Sequence, residues 1–514
     1  MSFPLNLPEL YNAADDFVDR NIREGRSQKT AVICENRSLT YGQIREGMNR
    51  FGNALRSLGV RMEDRVALLL LDTEIYPQAF FGAIKTGAVP ICLNTLMRPK
   101  DYVYFLNDSR ARVLVVDAPL LDMIRQKRRE LKFLEHVIVV GGRAAEADLS
   151  FEGLIAGQSA ELDCAPTTPD DACFWLYSSG STGRPKGTVH LQHDMRYSVE
   201  TYGKQVLGIR ENDICFSAAK LFFAYGLGNG LYFPFSVGAT AVYLPGRPTP
   251  EAVYDTIKTH GPTIFYGVPT LYSYLLEQNG GLENVRCCVS AGEALPPEIF
   301  RRWKLRFGID IQDGIGSTEM AHIYISNRKG NVRAGSTGQL VPGYEARIVD
   351  EHFDDVPVGE IGTLLVSGDS AAACYWNKHE KTKETMLGLW LNTGDKFYRD
   401  QEGFYFYVGR TNDMLKVGGI WVSPIEVEAC IMEHPDVLEC AVVGAVDDEE
   451  LIKPKAFVVL KSGVTADEEM EKNIKQYVKK KLAHYKYPRW VSFVDELPKT
   501  ATGKIKRFEL KTAA

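Results

Sequence analysis

The chain has 514 residues, of which 45% are hydrophobic and 25% are charged, the composition of an ordinary globular protein. This length and composition predict about three domains or subdomains and exclude a disordered scaffold, a collagen-like fibre and a disulfide-stapled mini-protein. The 60 basic and 66 acidic residues give a net charge of −6, which argues against a protein dedicated to binding nucleic acid or an anionic membrane.

Short apolar runs alternate with helix-like segments between about residues 30 and 410, which predicts an α/β fold with largely parallel sheets. The predicted strands cover residues 65–71, 112–116, 136–140, 173–176, 263–265, 287–290 and 310–312. The predicted helices cover residues 76–87, 249–259, 269–277 and 297–307. The uncharged stretch 221–246 has the length of a membrane span, but glycines and prolines interrupt it, so a buried pocket wall is the preferred interpretation.

The last hundred residues have a different charge pattern. The net charge reverses from −9 over residues 411–470 to +8 over residues 471–514. A solvated helix face over residues 472–481 explains most of the lysines. The alternative is a surface that meets a polyanion, such as a nucleotide or a phosphorylated thiol cofactor. The turn-prone segment 409–413 predicts a domain boundary, with a compact αβ unit of about 100 residues after it.

The cysteines favour a reduced, cytoplasmic compartment. None of the ten forms a Cys-x-x-Cys pair, so the spacing of a zinc site is absent. The first 20 residues contain no basic start followed by an apolar run, so no signal peptide is expected.

A loop rich in glycine and hydroxyl residues follows the strand predicted at 173–176, and it reads YSSGSTGRPKG over residues 177–187. Glycines let backbone N–H groups turn towards an anion, hydroxyls donate further hydrogen bonds, and Lys186 adds positive charge, so the loop is typical of a phosphate cradle. It is not a Walker A loop, because Gly187 follows the lysine without the required spacing. The alternative interpretation is a flexible surface loop.

This loop resembles the phosphate loop of the adenylate-forming superfamily, which contains acyl- and aryl-CoA ligases, peptide-synthetase adenylation domains and luciferases. Later segments resemble the other signatures of this superfamily in the same order, at residues 313–319 (DGIGSTE), 390–395 (WLNTGD), 409–410 (GR), 416–419 (KVGG) and 498–504 (PKTATGK). The resemblance spans about residues 30–510. It implies a large N-terminal α/β domain of stacked mixed or parallel sheets with helices, residues 1–411, and a small mobile α+β C-terminal domain, residues 412–514.

The resemblance also implies a site for ATP and Mg²⁺. The residues implied to bind ATP or AMP are Ser178, Ser179, Gly180, Ser181, Thr182, Gly183, Lys186, Gly292, Glu293, Ala294, Asp313, Gly314, Ile315, Thr318, Asp395, Arg410 and Lys504. The implied catalytic residues are Thr182, Thr318, Glu319 and Lys504, with Mg²⁺ held by Thr182 and Glu319. A carboxylate suits Mg²⁺, and the ionised Asp395 offers two acceptor oxygens to the ribose hydroxyls.

Two positions depart from the superfamily pattern. The residue before Gly316 is often aromatic and packs on adenine, whereas Ile315 retains apolar packing without stacking. The hinge residue, two after Arg410, is often Asp or Lys, whereas this chain has Asn412. Asparagine tolerates left-handed backbone geometry, so rotation at this hinge stays compatible with the sequence.

Residues 171–177, 220–229 and 317–323 closely resemble the benzoate-type CoA ligases. The implied aryl pocket has small residues that leave room for a flat ring, and it is lined by Ala224, Tyr225, Gly226, Ala291, Gly292, Gly316 and His322. Tyr225 is expected to close one ring face and His322 to lie near the carboxylate, the alternative for His322 being a core histidine with a backbone partner. Ala321 replaces the larger Leu expected in this pattern, which predicts space for a ring substituent.

Gly418, Gly419 and Ile420 resemble the loop that lines a pantetheine tunnel after the C-terminal domain rotates about Asn412. A glycine pair allows a thin ligand to approach the backbone closely. We therefore expect two half-reactions. An aromatic carboxylate and MgATP give an aryl-adenylate and pyrophosphate with Lys504 over the site, and coenzyme A then forms the thioester and releases AMP.

Two alternatives stay open: a CoA ligase for a phenylpropanoid or medium-chain fatty acid, and an adenylate-binding protein without turnover. An unrelated NTPase or kinase is disfavoured by the missing Walker A spacing. Related ligases are silenced by acetylation of the lysine that corresponds to Lys504, so a lysine acetyltransferase and deacetylase are candidate partners. The other expected partners are the aromatic acid and coenzyme A, without nucleic acid or membrane, and the expected assembly is a monomer or a homodimer.

Overall fold

The computed structural model describes residues 3–142, 148–178, 184–411, 413–417, 420–447, 451–499 and 505–512. Two large sheets with helices on both faces form most of the chain, and smaller sheets follow them towards the C-terminus. The α/β class predicted from the sequence is therefore confirmed.

The first large sheet has nine strands within these described ranges. In spatial order they are Gln339–Leu340, Ile323–Ser326, Ile311–Gly316, Cys287–Ser290, Ile264–Gly267, Ile214–Ser217, Thr240–Tyr243, Thr30–Cys34 and Arg37–Thr40. The six strands from Ile311–Gly316 to Thr30–Cys34 run parallel, and the flanking strands pair antiparallel. The sheet is therefore mixed rather than wholly parallel.

The second large sheet has eight strands in the part of the chain that the structure describes. In spatial order they are Cys374–Tyr375, Lys186–Leu191, Ala172–Ser178, Val89–Cys92, Arg65–Leu69, Val113–Asp117, His136–Val140 and Leu149–Ser150. Ala172–Ser178 and Lys186–Leu191 are antiparallel neighbours, with Ser178 paired opposite Lys186. The two ends of the predicted phosphate loop are therefore fixed side by side on one sheet.

A central apolar cluster joins the two large sheets. Val66 and Leu68 of the second sheet and Ile264 and Tyr266 of the first belong to this cluster, together with side chains of the helices between the sheets. Because side chains alternate along a strand, Phe265 faces away into a second cluster under the outer helices. Both faces of each sheet are thus covered, as expected where parallel strands predominate.

The smaller sheets lie towards the C-terminal end of the chain. The first contains Glu345–Val349, Gly362–Ser367, Trp390–Arg399 and Met386–Leu387, and Tyr405–Arg410 pairs with Trp390–Arg399. Leu415–Val417 and Ile420–Val422 form a two-stranded sheet, and Val437–Val446, Ile452–Leu460 and Trp490–Phe493 form the last sheet.

Most predicted elements lie within a few residues of the observed ones. The α-helices are Arg20–Arg23, Tyr41–Ser57, Ile75–Lys85, Pro99–Ser109, Leu121–Arg125, Phe151–Ala156, Asp194–Ser198, Ala224–Leu227, Phe233–Val237, Pro250–His260, Pro269–Glu277, Pro297–Phe307, His379–Thr385, Pro424–Met432, Glu468–Lys481 and Arg507–Thr512. The 3-10 segments are Ala118–Leu120, Arg128–Glu130, Thr318–Met320 and His484–Lys486, and the π-helical segments are Asp15–Asp19, Val199–Leu207 and Gly228–Tyr232.

Local sequence signals explain several of these boundaries. Thr249 accepts a hydrogen bond from the N–H of Ala252, a proline occupies the first turn, and Gly261 ends the helix Pro250–His260 with a φ of 57°.

The uncharged stretch 221–246 folds into buried helical segments and the strand Thr240–Tyr243 rather than a single long helix. Among the described residues, the helices are all too short or too polar to span a bilayer.

Candidate active site

The strand Ile311–Gly316 leads into a 3-10 turn, Thr318–Met320, that carries the centre of the predicted adenylate motif. All three carbonyl oxygens of this turn accept hydrogen bonds from outside it. The Thr318 oxygen accepts from the His190 ring at 2.7 Å, the Glu319 oxygen from the Ala372 N–H at 2.8 Å, and the Met320 oxygen from the Ser370 hydroxyl at 2.9 Å. Donors from the strand Lys186–Leu191 and from the loop before the strand Cys374–Tyr375 therefore hold the turn.

The Glu319 carboxylate lies beside the end of the phosphate loop. Its Oε1 accepts hydrogen bonds from the Ser178 hydroxyl at 3.1 Å and the Tyr375 hydroxyl at 2.7 Å. The Lys186 ammonium lies 4.1 Å from the centre of the Tyr375 ring. Burial lowers the pKa of Lys186, and the nearby Glu319 charge opposes this shift. Ser178, Lys186 and Glu319, all predicted site residues, thus lie around Tyr375. The sequence analysis did not predict Tyr375 as a site residue.

Asp395 and Arg410 face each other across an antiparallel strand pair. Arg410 Nε lies 2.8 Å from Asp395 Oδ1, and the Asp395 side chain is buried. The Asp395 charge raises the pKa of Arg410. This pair forms the predicted ribose end of the site.

The predicted adenine side is built on neighbouring strand ends. Residues 291–294 follow the strand Cys287–Ser290, whose parallel neighbour contains Asp313. Burial raises the pKa of the Asp313 carboxyl well above its usual value. A Cβ at Gly314 would lie 2.9 Å from the Ile325 carbonyl oxygen, so the close strand pairing requires glycine there.

The predicted aryl pocket lies at the other end of the same segment. Position 316 requires glycine, because a Cβ there would lie 2.4 Å from the His322 carbonyl oxygen. Gly226 is equally constrained, since its Cβ would lie 2.0 Å from the Lys220 carbonyl oxygen. The Tyr225 hydroxyl lies within hydrogen-bond distance of the carbonyl oxygens at the ends of two parallel strands, 3.2 Å from Gly267 and 3.1 Å from Val289. Ala291 is buried, and Ala224 packs against the central core.

His322 is buried among aromatic side chains and is neutral. Its ring centre lies 4.6 Å from that of Phe233 and 5.3 Å from that of Tyr202. Burial lowers the pKa of His322 to about 3. Its Nε2 contacts the Tyr225 carbonyl oxygen at 3.3 Å, and among the described residues Nδ1 has no hydrogen-bond partner. The Tyr225 carbonyl oxygen is the kind of backbone partner expected if His322 is a core histidine. When Nε2 donates to it, Nδ1 is a buried acceptor without a partner among the described residues.

Segments on both sides of the predicted lysine loop contact the large domain. The N–H of Ile505 donates to Glu293 at 2.9 Å. The Lys499 ammonium contacts both oxygens of Glu439 at 2.8 Å and the Tyr274 hydroxyl at 3.0 Å. These contacts join the C-terminal segment to the helix Pro269–Glu277 and to the predicted nucleotide side.

Several predicted site residues lie outside the described ranges, namely Ser179, Gly180, Ser181, Thr182, Gly183, Asn412, Gly418, Gly419 and Lys504. Ile420 is described and about half exposed, at 48%. On the helix Glu468–Lys481, Lys475 pairs with Glu471 and Lys481 with Glu433. These pairs agree with a solvated face for part of the basic helix.

The family model described as "AMP-binding enzyme" matches residues 18–376, and the one described as "AMP-binding enzyme C-terminal domain" matches residues 426–504. The chain belongs to the AMP-binding enzyme family. Within this family, the benzoate–CoA ligase of Thauera aromatica is 53% identical over 515 residues, which cover 99% of this chain and 97% of that protein. The 4-hydroxybenzoate–CoA/benzoate–CoA ligase of Rhodopseudomonas palustris is 46% identical over 98% of this chain and 94% of its own.

Solved structures of AMP-binding enzymes have the same fold. An anthranilate CoA ligase in complex with anthranoyl-AMP matches with a TM-score of 0.96 and 46% identity, over 99% of this chain and 98% of that one. A benzoate CoA ligase from Burkholderia xenovorans LB400 matches with a TM-score of 0.91 and 48% identity, over 98% and 100% of the two chains. The superfamily and the fold predicted from the sequence are confirmed.

Proposed function

We propose that this chain is an AMP-forming aryl-CoA ligase, which joins benzoate or a substituted benzoate to coenzyme A through an aryl-adenylate. The observation that carries the proposal is one continuous segment, residues 311–322. It supplies Asp313 and the turn Thr318–Met320 to the nucleotide side, and Gly316 and His322 to the aryl side. Because this short segment borders both sides, an acid bound there lies against the α-phosphate. Near-full-length similarity to the Thauera aromatica benzoate–CoA ligase supports the same activity.

In the first half-reaction, a carboxylate oxygen of the acid attacks the α-phosphorus of ATP. The bond from that phosphorus to the bridging oxygen breaks, and pyrophosphate leaves with the electron pair. The phosphate loop from Ser178 to Lys186 holds the β- and γ-phosphates, and Asp395 with Arg410 holds the ribose. Thr318 and Lys504 contact the α-phosphate, where negative charge grows in the transition state.

The Glu319 carboxylate is suited to bind Mg²⁺. Both hydrogen bonds to this carboxylate, from Ser178 and Tyr375, end on Oε1. No described residue donates to Oε2, which leaves a carboxylate oxygen, the ligand type that Mg²⁺ prefers. Glu319 and Thr182 would hold the ion, which neutralises phosphate charge when bound.

In the second half-reaction, the coenzyme A thiol attacks the acyl carbon of the adenylate, its proton is lost to solvent, and AMP leaves. AMP-forming CoA ligases use ATP and coenzyme A as substrates. We place the boundary of the moving domain between residues 411 and 412. Rotation about Asn412 removes Lys504 from the site and brings in Gly418, Gly419 and Ile420 to line the thiol path.

Relatives named for benzoate, 4-hydroxybenzoate and anthranilate are similar over nearly the whole chain. We propose that the acid has a single aromatic ring, and the compact wall around Tyr225 and Gly226 supports this choice over a long alkyl chain. The neutral His322 forms no ion pair with the substrate carboxylate, so it does not bind the acid by charge.

We also propose the assembly, the cellular location and a modification of the enzyme. The enzyme is a monomer or homodimer that acts in the cytoplasm, and acetylation of Lys504 silences adenylation because it removes the positive charge. Mass spectrometry of the protein from cells tests the last point, since a Lys504 peptide that is always unmodified contradicts it.

AMP and pyrophosphate release by the purified protein with MgATP, with and without coenzyme A, tests the proposed function. The acids are benzoate, the three hydroxybenzoates, anthranilate, the methylbenzoates, cinnamate and hexanoate. We expect coenzyme A-dependent turnover on one or more benzoates. Preference for cinnamate or hexanoate supports the phenylpropanoid or fatty-acid alternative, and no release with any acid supports a non-catalytic adenylate-binding protein.

A further inference from the structure

His190 connects two parts of the site that are 128 residues apart in sequence. It lies on the strand Lys186–Leu191, which begins at the end of the phosphate loop, and its side chain is fully buried. The imidazole stacks on its cross-strand partner Phe174, with ring centres 4.8 Å apart and an angle of 14°. One ring nitrogen faces the Thr318 carbonyl oxygen at 2.7 Å, and the other faces Asp194 at 2.7 Å.

The Thr318 partner fixes a hydrogen on Nε2 of His190. The Thr318 carbonyl oxygen accepts only, so Nε2 must donate. Asp194 Oδ2 lies at Nδ1 and also accepts from the N–H of Leu191 at 3.1 Å. The carboxyl group thereby fixes the ring orientation, and the stacked Phe174 prevents the ring from turning. Nε2 is held as a rigid donor aimed at the turn.

The other two donors to the turn, Ala372 and Ser370, come from a loop before the strand Cys374–Tyr375. His190 is the donor supplied by the strand that begins at the phosphate loop. It therefore fixes the distance between the groups that hold the β- and γ-phosphates and the turn that faces the α-phosphate. The hydrogen bond from Ser178 to Glu319 connects the same two parts.

We propose that His190, oriented by Asp194, is a positioning residue for adenylation, which holds the turn Thr318–Met320 in register with the phosphate loop. This inference rests on the proposed function. His190 touches no substrate, and its effect reaches the reaction through the Thr318 backbone. A misplaced catalytic group costs up to about 100-fold in rate, so losing this donor should slow adenylation without weakening substrate binding to the same degree.

Two isosteric variants separate positioning from general stability. In His190→Gln the amide nitrogen replaces Nε2 and can still donate to the Thr318 carbonyl oxygen. In His190→Asn the shorter amide reproduces only the Nδ1 side. The control is His260→Asn, because His260 is a half-buried histidine at the end of the helix Pro250–His260, which carries none of the predicted site residues.

The measurements are acid-dependent ATP–pyrophosphate exchange, thioester formation from supplied benzoyl-adenylate and coenzyme A, and the melting temperature. We expect His190→Asn to lower kcat for exchange by about 10- to 100-fold, with KM for ATP and the thioester rate changed by less than about threefold. His190→Gln should recover most of the loss, and His260→Asn should stay within about twofold of the parent enzyme.

Three results overturn the inference: exchange in His190→Asn equal to that of the parent, equal losses in both variants, or equal loss of both half-reactions together with a lower melting temperature. Failure of the proposed function is recognised separately, because the unmodified protein would then show no acid-dependent exchange with any benzoate.

Discussion

The N–H of His322 donates to the carbonyl oxygen of Met320 over 2.7 Å, which closes a γ-turn centred on Ala321. Ala321 has a φ of 60° and a ψ of −38°, a conformation that is strained for any residue with a Cβ. The turn reverses the chain between Thr318–Met320 and the strand Ile323–Ser326. It therefore sets the relative position of the predicted nucleotide side and the predicted aryl side of the site.

The γ-turn gives Ala321 a backbone role besides the space predicted for a ring substituent. We expect Ala321→Gly to raise the free energy of unfolding by about 1 kcal/mol, because the relief of strain exceeds the entropy cost of glycine. We expect Ala321→Leu to lower it by about 1–3 kcal/mol, because the added carbons overpack a buried position. Urea unfolding measures both changes.

The same variants test the prediction about the substrate. If Ala321 leaves space for a ring substituent, Ala321→Leu should lose kcat/KM on hydroxy- and methylbenzoates more than on benzoate. Ala321→Gly is the control, since it adds no volume. An unchanged preference in Ala321→Leu removes this residue from substrate selection.

A second prediction concerns the contact between Tyr274 and Lys499. Tyr274→Phe removes the hydroxyl acceptor, which lies 3.0 Å from the Lys499 ammonium, and keeps the ring below it. A hydrogen bond to a charged group is worth about 1.5–3 kcal/mol when both partners are well ordered, and an exposed one contributes less. We expect the adenylation rate to fall by about two- to tenfold, with thioester formation from supplied adenylate unchanged or faster.

The control for this contact is Tyr398→Phe, since Tyr398 stacks on Phe406 within the five-stranded sheet. That variant should leave the ratio of the two half-reactions unchanged. Equal effects of Tyr274→Phe on both half-reactions contradict a contact that favours the adenylation arrangement.

Local patterns predicted the elements well, whereas long-range contacts needed the fold. The helices Pro269–Glu277 and Pro297–Phe307 were predicted with their observed bounds, because proline starts and apolar spacing are visible in sequence. Tyr375 and His190 were missed as site residues. Each contacts the adenylate motif through a side-chain hydrogen bond between residues far apart in sequence, and no local spacing indicates such a contact. The signature residues were found because they occur in contiguous segments.

A third prediction follows from the neutral His322. Burial lowers its pKa to about 3 in the folded protein, whereas the unfolded chain takes up this proton near pH 6.5. Between these values the unfolded state binds more protons, so stability decreases as the pH falls below about 6.5. At pH 5.0, His322 alone should lower the free energy of unfolding by about 2 kcal/mol relative to pH 7.5.

The free energy of unfolding of the parent and of His322→Gln, measured at both pH values, tests this effect. Glutamine does not titrate, so the variant should lose about 2 kcal/mol less on acidification, whatever its stability at pH 7.5. Parallel losses in the two proteins contradict the buried neutral histidine.

The final prediction separates the two half-reactions at Lys504. In the proposed mechanism, Lys504→Ala removes the charge that neutralises the α-phosphate in the transition state, so we expect acid-dependent ATP–pyrophosphate exchange to fall by at least about 100-fold. Thioester formation from supplied benzoyl-adenylate should change by less than about threefold, because Lys504 leaves the site before that step in the proposed mechanism. Lys506→Ala is the matched control, since Lys506 pairs with Glu509 at 2.9 Å beside the same loop, and it should retain both rates. Equal loss of the two half-reactions in Lys504→Ala contradicts the proposed division of labour, because a residue needed only for adenylation cannot slow a reaction that starts from the adenylate.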